Sequence, residues 1–156
     1  MSEEKKQQAA DAMYEKLCSV FKANDWHGNK NENERTIEFS FQEDELLVLI
    51  SGKIDADKEY ITFISPIPFV VEEEKKLEIA VAVTEVNSHL LRGNFYFNID
   101  KGLLYFHLSS CYAGSNISEE AIKYLILCVE KTVSDFNRKF LLLSKGLITV
   151  DDIMRN

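Results

Sequence analysis

Only two prolines and six glycines occur in the 156 residues. That leaves no room for a flexible linker, which needs such residues in runs. The three cysteines, Cys18, Cys111 and Cys128, are odd in number and widely spaced. They do not form a disulfide framework, and a reducing cytoplasm suits them. No stretch approaches the ~18 apolar residues that cross a bilayer. The first residues lack the apolar core of a signal peptide and read Glu3, Glu4, Lys5, Lys6, Gln7, Gln8 instead. Basic charge is scarce: 18 Lys and Arg stand against 26 Asp and Glu, a net charge of −8. Nucleic acids and anionic membranes call for a basic patch. The densest basic segment, Lys131 to Lys145, is diluted by apolar residues, so neither is an expected partner. The surplus of acid serves solubility.

Patterns that carry chemistry are missing too. His27, His89 and His107 are far apart, and no His-x-x-x-His or Cys-x-x-Cys pair offers a start to a metal site. His107 and Cys111 share a strand face but stand two pleats apart, too far for a nucleophile and its base. Asp55 and Asp57 resemble a turn rather than a calcium loop, which also needs a glycine and a terminal glutamate. There is no phosphate-cradling glycine loop and no Gly-x-Ser-x-Gly. The expectation is a non-enzyme with no catalytic residue, no metal and no cofactor.

What the chain does have is 46% hydrophobic residues and a length at which roughly 70% of the unfolded surface goes inside. A single domain over 1–156 is expected. Ala10, Met13, Leu17, Val20 and Phe21 mark an amphipathic helix over 3–23. Asn24, Asp25, Gly28 and the polar run 29–34 end it. Ile37, Phe39 and Phe41 alternate with polar residues, as on a half-buried strand. The next strand, Leu46 to Ile54, is apolar on both faces up to Ile50, which suits a central position. A third runs from Tyr60 to Ser65, and Pro66 and Pro68 are expected to stop it. Ile79, Val83, Val86 and Leu90 predict a second helix over about 73–91, with Gly93 just beyond its end.

A hairpin follows over 94–109. An even-length loop near Asp100–Gly102 pairs apolar with apolar. Phe95, Phe97 and Ile99 then face with Leu104, Phe106 and Leu108, and Tyr96 and Tyr105 share the other face with Asn98 and His107. Ser118 is a good N-cap for the longest helix, whose apolar stripe continues to Leu143. At ~1.5 Å per residue, 118–145 spans roughly 42 Å, so part of it is expected to project or to pack on another subunit. Thr149 and Asp152 suggest a capping box for a last short helix. The order α-β-β-β-α-β-β-α predicts an α+β, two-layer domain with an antiparallel sheet and helices mainly on one face.

That order comes with particular residues. They are Trp26, then Ser65-Pro66-Ile67-Pro68-Phe69, then Ala82-Val83-Thr84-Glu85-Val86-Asn87-Ser88, then Leu91-Arg92-Gly93-Asn94-Phe95, Asp100-Lys101-Gly102 and a closing Lys145-Gly146. Together they resemble the YbjN family, whose fold is similar to that of type III secretion chaperones. The resemblance covers about 10–150 and contains no catalytic motif. It implies a small, acidic, cytosolic protein linked to stress and signalling regulation. Through the chaperones it implies a homodimer that holds a partner chain along apolar patches.

Two functional readings follow. One is a homodimeric protein-binding module, chaperone-like or a regulatory adaptor, with a protein partner or client. Its interface candidates are Tyr96, Tyr105 and His107, because tyrosine offers apolar area with a polar tip. The other is a small-ligand or catalytic domain with a pocket between helices and sheet. Asn87, in an otherwise apolar helical stretch, is expected to tie its amide to backbone near the turn after Leu91.

Overall fold

The computed structural model describes residues 2–43 and 46–155. Helix α1 is Glu3–Ala23; the Ser2 hydroxyl accepts from the Lys5 amide, and the expected apolar face is buried. The chain then forms β1 (Asn29–Asn31), β2 (Thr36–Glu43), β3 (Leu46–Asp55) and β4 (Tyr60–Val70). A 3-10 turn over Glu73–Lys75 leads into α2 (Lys76–His89), and β5 (Asn94–Asn98) and β6 (Leu103–Cys111) follow. Helix α3 (Glu119–Ser144) and a 3-10 turn over Val150–Asp152 complete the described chain.

Among the described residues the strands form one antiparallel sheet in the order β1-β2-β3-β4-β6-β5. The helices pack on a single face of it: α3 lies across β3, β4 and β6, α1 against β3 and α3, and α2 against β5. The architecture is the expected two-layer α+β. The core between the layers is held by side chains such as Phe21, Phe63, Phe95, Phe106 and Phe140, all less than 3% exposed.

Several expectations need correction. Strand β1 lies inside the run that looked like a helix-ending loop. It is three exposed residues without an apolar signal, and its backbone pairing with Glu38, Ile37 and Thr36 makes it a strand. Strand β4 does not stop at Ser65 but continues through Pro66 and Pro68 to Val70. The β3–β4 ladder covers only Ser51–Asp55 with Ile64–Tyr60. Both prolines thus fall where β4 has left β3, and its register on β6 shifts between Pro66 and Val70. An unpaired edge with a bulge is where proline does no harm to a ladder.

Strand β3 is central in order, yet it is not buried on both faces. Val48, Ile50 and Ile54 point into the core, while Leu47 and Leu49 are exposed at 39% and 42%. Helix α3 does not project either. Its buried residues run from Ile122 to Leu143, so its 26 residues, about 39 Å long, lie on this chain's own sheet and helices. The closing helix is a single 3-10 turn; the Asp152 carboxylate accepts from both the amide and the hydroxyl of Thr149.

The hairpin has the even loop. Asn98 pairs with Leu103, Phe97 with Leu104, Tyr96 with Tyr105 and Phe95 with Phe106. Ile99 falls in the turn and is half exposed instead of joining the inner face. Gly102 makes the turn possible at φ +68°, and its carbonyl accepts from the Val71 amide. A side chain there would run into the Val71 carbonyl. Asn87 makes the expected backbone tie: its amide donates to the Phe95 carbonyl at 2.9 Å and its oxygen accepts from the Phe95 amide at 2.8 Å. One side chain thereby imitates a neighbouring strand along the free edge of β5.

Candidate protein-interaction face

Because all three helices cover one face of the sheet, the other is left to solvent. Strand alternation decides what that face displays. One row across it reads Ser51, Ile64, His107 and Asn94, each the ladder neighbour of the next. The next row brings Pro66, Tyr105 and Tyr96 side by side, with Leu49 on β3 two residues from Ser51. Beyond that lie Leu47, Pro68, Leu103 and Asn98. None of these side chains is charged. Lys53 and Asp55 sit at the far end of β3, and Glu38 on β2 flanks the patch.

The three interface candidates from the sequence meet here. The Tyr96 and Tyr105 rings stack with centroids 5.4 Å apart and planes 10° from parallel. His107 stands edge-on to Tyr96 at 5.5 Å. Offset stacking and edge-to-face contact are the arrangements ring quadrupoles favour, so the cluster is held in place before any partner arrives. Tyr96 is 46% exposed and Ile64 38%. Toward β2 the surface dips into a groove of about 300 Å³ lined by Asn29, Glu38, Ser40, Leu49, Ser51 and Pro66. Sequence reasoning missed Leu49 and Ile64. The signal for Leu49 is the second apolar parity of β3, which the packing leaves on the solvent side.

Other residues singled out in the sequence are dispersed. His27 lies beside Asp25 in the loop after α1, and His89 beside Glu85 on α2, both exposed. His107 and Cys111 are on one strand, about 14 Å apart at ~3.4 Å per residue. Cys18 and Cys128 are half-buried against the core. Among the described residues no group of three or more His, Cys, Asp or Glu is placed to hold a metal ion. No described helix is long and apolar enough to cross a membrane.

A second groove, about 430 Å³, lies between α1 and the β6–α3 connection. Several of its polar groups are tied to the fold. The Lys16 ammonium donates to Asn116 Oδ1 at 2.6 Å and to the Ile117 carbonyl at 2.8 Å. The Tyr112 hydroxyl donates to the Asp55 carbonyl at 3.3 Å, and burial, followed by the nearby Glu59 carboxylate, pushes its pKa up.

With this geometry in hand, comparison with solved structures is informative. A chain in the crystal structure of the ExsC–ExsE complex superposes with a TM-score of 0.59 at 15% identity, over 81% of this chain and 92% of that one. A chain in the structure of the HopA1–SchA chaperone–effector complex gives 0.51 at 12% identity, over 80% and 88%. The fold is type III secretion chaperone-like. No family model matches the chain, and no curated protein matches its sequence. At such identities the likeness is one of architecture, and any functional residue must be argued from this chain's own surface.

Proposed function

We propose that this chain is a non-enzymatic protein-binding module, a chaperone-like protein or regulatory adaptor that acts in the cytoplasm as a homodimer, the whole of 1–156 working as one domain. The observation that carries the reading is the uncharged, tyrosine-bearing outer face of the sheet. Protein interfaces differ from other surface by losing charge at their centre and gaining aromatic residues. The twelve exposed or half-exposed positions from Leu47 to Asn98 carry no charged side chain, and Lys53, Asp55 and Glu38 border them. Tyr96, Tyr105 and His107 are the proposed contact residues. The fold likeness to a chain in a chaperone–effector complex supports a protein partner. The resemblance to the YbjN family supports a setting in stress or signalling regulation.

The test is affinity capture from native cytosol with the wild-type chain and with a Tyr96→Ser, Tyr105→Ser double variant as baits. The mass of each recovered complex is read by light scattering. A protein partner recovered in simple stoichiometry with the first bait and lost with the second is the expected result. Recovery of the bait with no second protein would sink the client-binding reading.

A further inference from the structure

We infer a second docking site on the helical layer, away from the outer sheet face: a groove between α2 and the closing 3-10 turn that takes a basic amphipathic helix of a partner protein. It goes beyond the reading of the tyrosine-bearing face, because it uses another surface and another recognition chemistry.

Helix α2 is apolar on both sides. Ile79, Ala82, Val83 and Val86 are buried, as on any surface helix. Its outer side carries Leu77, 75% exposed, and Val81 one turn on, 52% exposed. A helix that is apolar all round is suited to cover all round. The closing 3-10 turn packs against α2 and sets Val150 and Met154 half-buried beside it. Ile153 between them is fully buried, and Asp152 holds the turn through Thr149. This wall is therefore fixed before a partner arrives, while the Met154 thioether adapts to what it meets. Together the two elements leave a groove of about 460 Å³ lined by Val81, Thr84, Glu85, Val150, Asp151 and Met154.

Charge names the occupant. Residues 72–85 hold five carboxylates against two lysines, and 150–155 hold two against one arginine, so half of the chain's net −8 falls here. The cations already have partners: Lys75 pairs with Glu78, Lys76 with Glu73 and Arg155 with Asp152. A second copy would bring the same acidic rim to the contact, and like charges set against each other reject it. A helix with Lys or Arg beside an apolar stripe meets both groove and rim. An extended chain does not suit the place, because it draws affinity from a free strand edge. The edge next to α2 is β5, and Asn87 occupies it at Phe95. A helix satisfies its own backbone and needs only the side-chain groove. The 14 residues of α2, about 21 Å long, set the match at three to four turns. So small a patch belongs with weak, transient contacts rather than permanent ones.

The probe is a helical peptide of about 18 residues made of Leu, Lys and Ala, with leucines at i, i+3, i+4 and i+7 and lysines flanking them. Its control has the same composition in scrambled order. Amide NMR of the whole wild-type chain needs no variant: the peptide should shift Leu77, Val81, Glu85, Val150 and Met154 and leave Tyr96, Tyr105 and His107 in place. The affinity expected is about 10–100 µM at ~20 mM salt. Leu77→Gln with Val81→Gln changes no charge and should weaken binding at least about tenfold. Glu85→Gln with Asp151→Asn should weaken it several-fold at ~20 mM salt and hardly at ~500 mM. Glu15→Gln on α1, and the Tyr96→Ser, Tyr105→Ser double variant, should bind as wild type does. Leu77 and Val81 are already exposed, so a native circular dichroism spectrum is expected. No saturable binding below about 1 mM overturns the proposal. So do shifts centred on the tyrosines, loss of the peptide with the tyrosine variant, or equal binding of the scrambled control, which would reduce the effect to charge alone. A wild-type dimer that Leu77→Gln with Val81→Gln dissociates would give the groove to a second copy and overturn it as well. None of these results bears on partner capture by Tyr96 and Tyr105, which the wild-type and tyrosine-variant baits decide separately.

Discussion

Two asparagines near the core have opposite fates. Asn87 is fully engaged with the backbone of Phe95. Asn87→Ala should therefore cost about 2 kcal/mol, since two hydrogen bonds go and a half-buried amide and carbonyl are left bare. Urea unfolding reads this directly, and a midpoint within error of wild type would contradict the strand-imitating role. Asn137, only 2% exposed on the inner face of α3, has no hydrogen-bond partner for either end of its amide among the described residues. An unpaired buried amide costs free energy that an apolar group of similar shape does not. Asn137→Leu should raise stability by about 1–2 kcal/mol. If the urea midpoint falls instead, the site is polar in solution and the amide does find a partner. Asn87 was legible in the sequence because a polar residue beside a helix end has backbone within reach. Asn137 was not singled out, although its place four residues after Val133 and three before Phe140 sets it on the apolar stripe.

At the scale of elements, α1 is tied to the sheet by the Tyr14 hydroxyl, which donates to the Thr36 carbonyl at 2.8 Å. Burial, and then the neighbouring Cys18, raise its pKa from 10.0 to about 12. The folded chain thus keeps this proton at a pH where the unfolded chain releases it. Stability from this group is complete below pH 10 and is lost as pH rises from 10 towards 12. The melting temperature should fall steeply across that window, and the Tyr14→Phe variant should show a shallower fall; parallel curves would rule the tyrosine out as the cause. The elements themselves were legible wherever apolar residues recur at helical or strand spacing, as in α1, β2 and α3. Strand β1 was invisible because its pairing uses backbone alone. The length of β4 was misjudged because the rule against proline applies to paired strands, and only the tertiary arrangement shows where β3 leaves β4.

For the whole molecule, the net charge of −8 on each copy of the proposed homodimer makes a prediction about salt. Screening weakens the repulsion between the copies. Raising salt from about 20 to 500 mM should tighten the proposed dimer several-fold, as read by sedimentation at each concentration. A dimer held by ion pairs would loosen instead, and that result would place the contact on a charged part of the surface. Cooling or heating tests the same point less cleanly, because apolar burial and conformational entropy respond together.

The sequence by itself determined the class of the fold, the element order apart from β1, and the facing of the β5–β6 hairpin. Each depends on local periodicity and on turn residues such as Ser118 and Gly102, which act over a few positions. The meeting of Tyr96, Tyr105 and His107 was also within its reach, because hairpin register follows from loop length. What only the tertiary structure decided is which apolar residues remain outside. Leu47 and Leu49 look no different in sequence from Val48 and Ile50. They are exposed because α1, α2 and α3 all settle on the same side of the sheet, a long-range choice that no local pattern records.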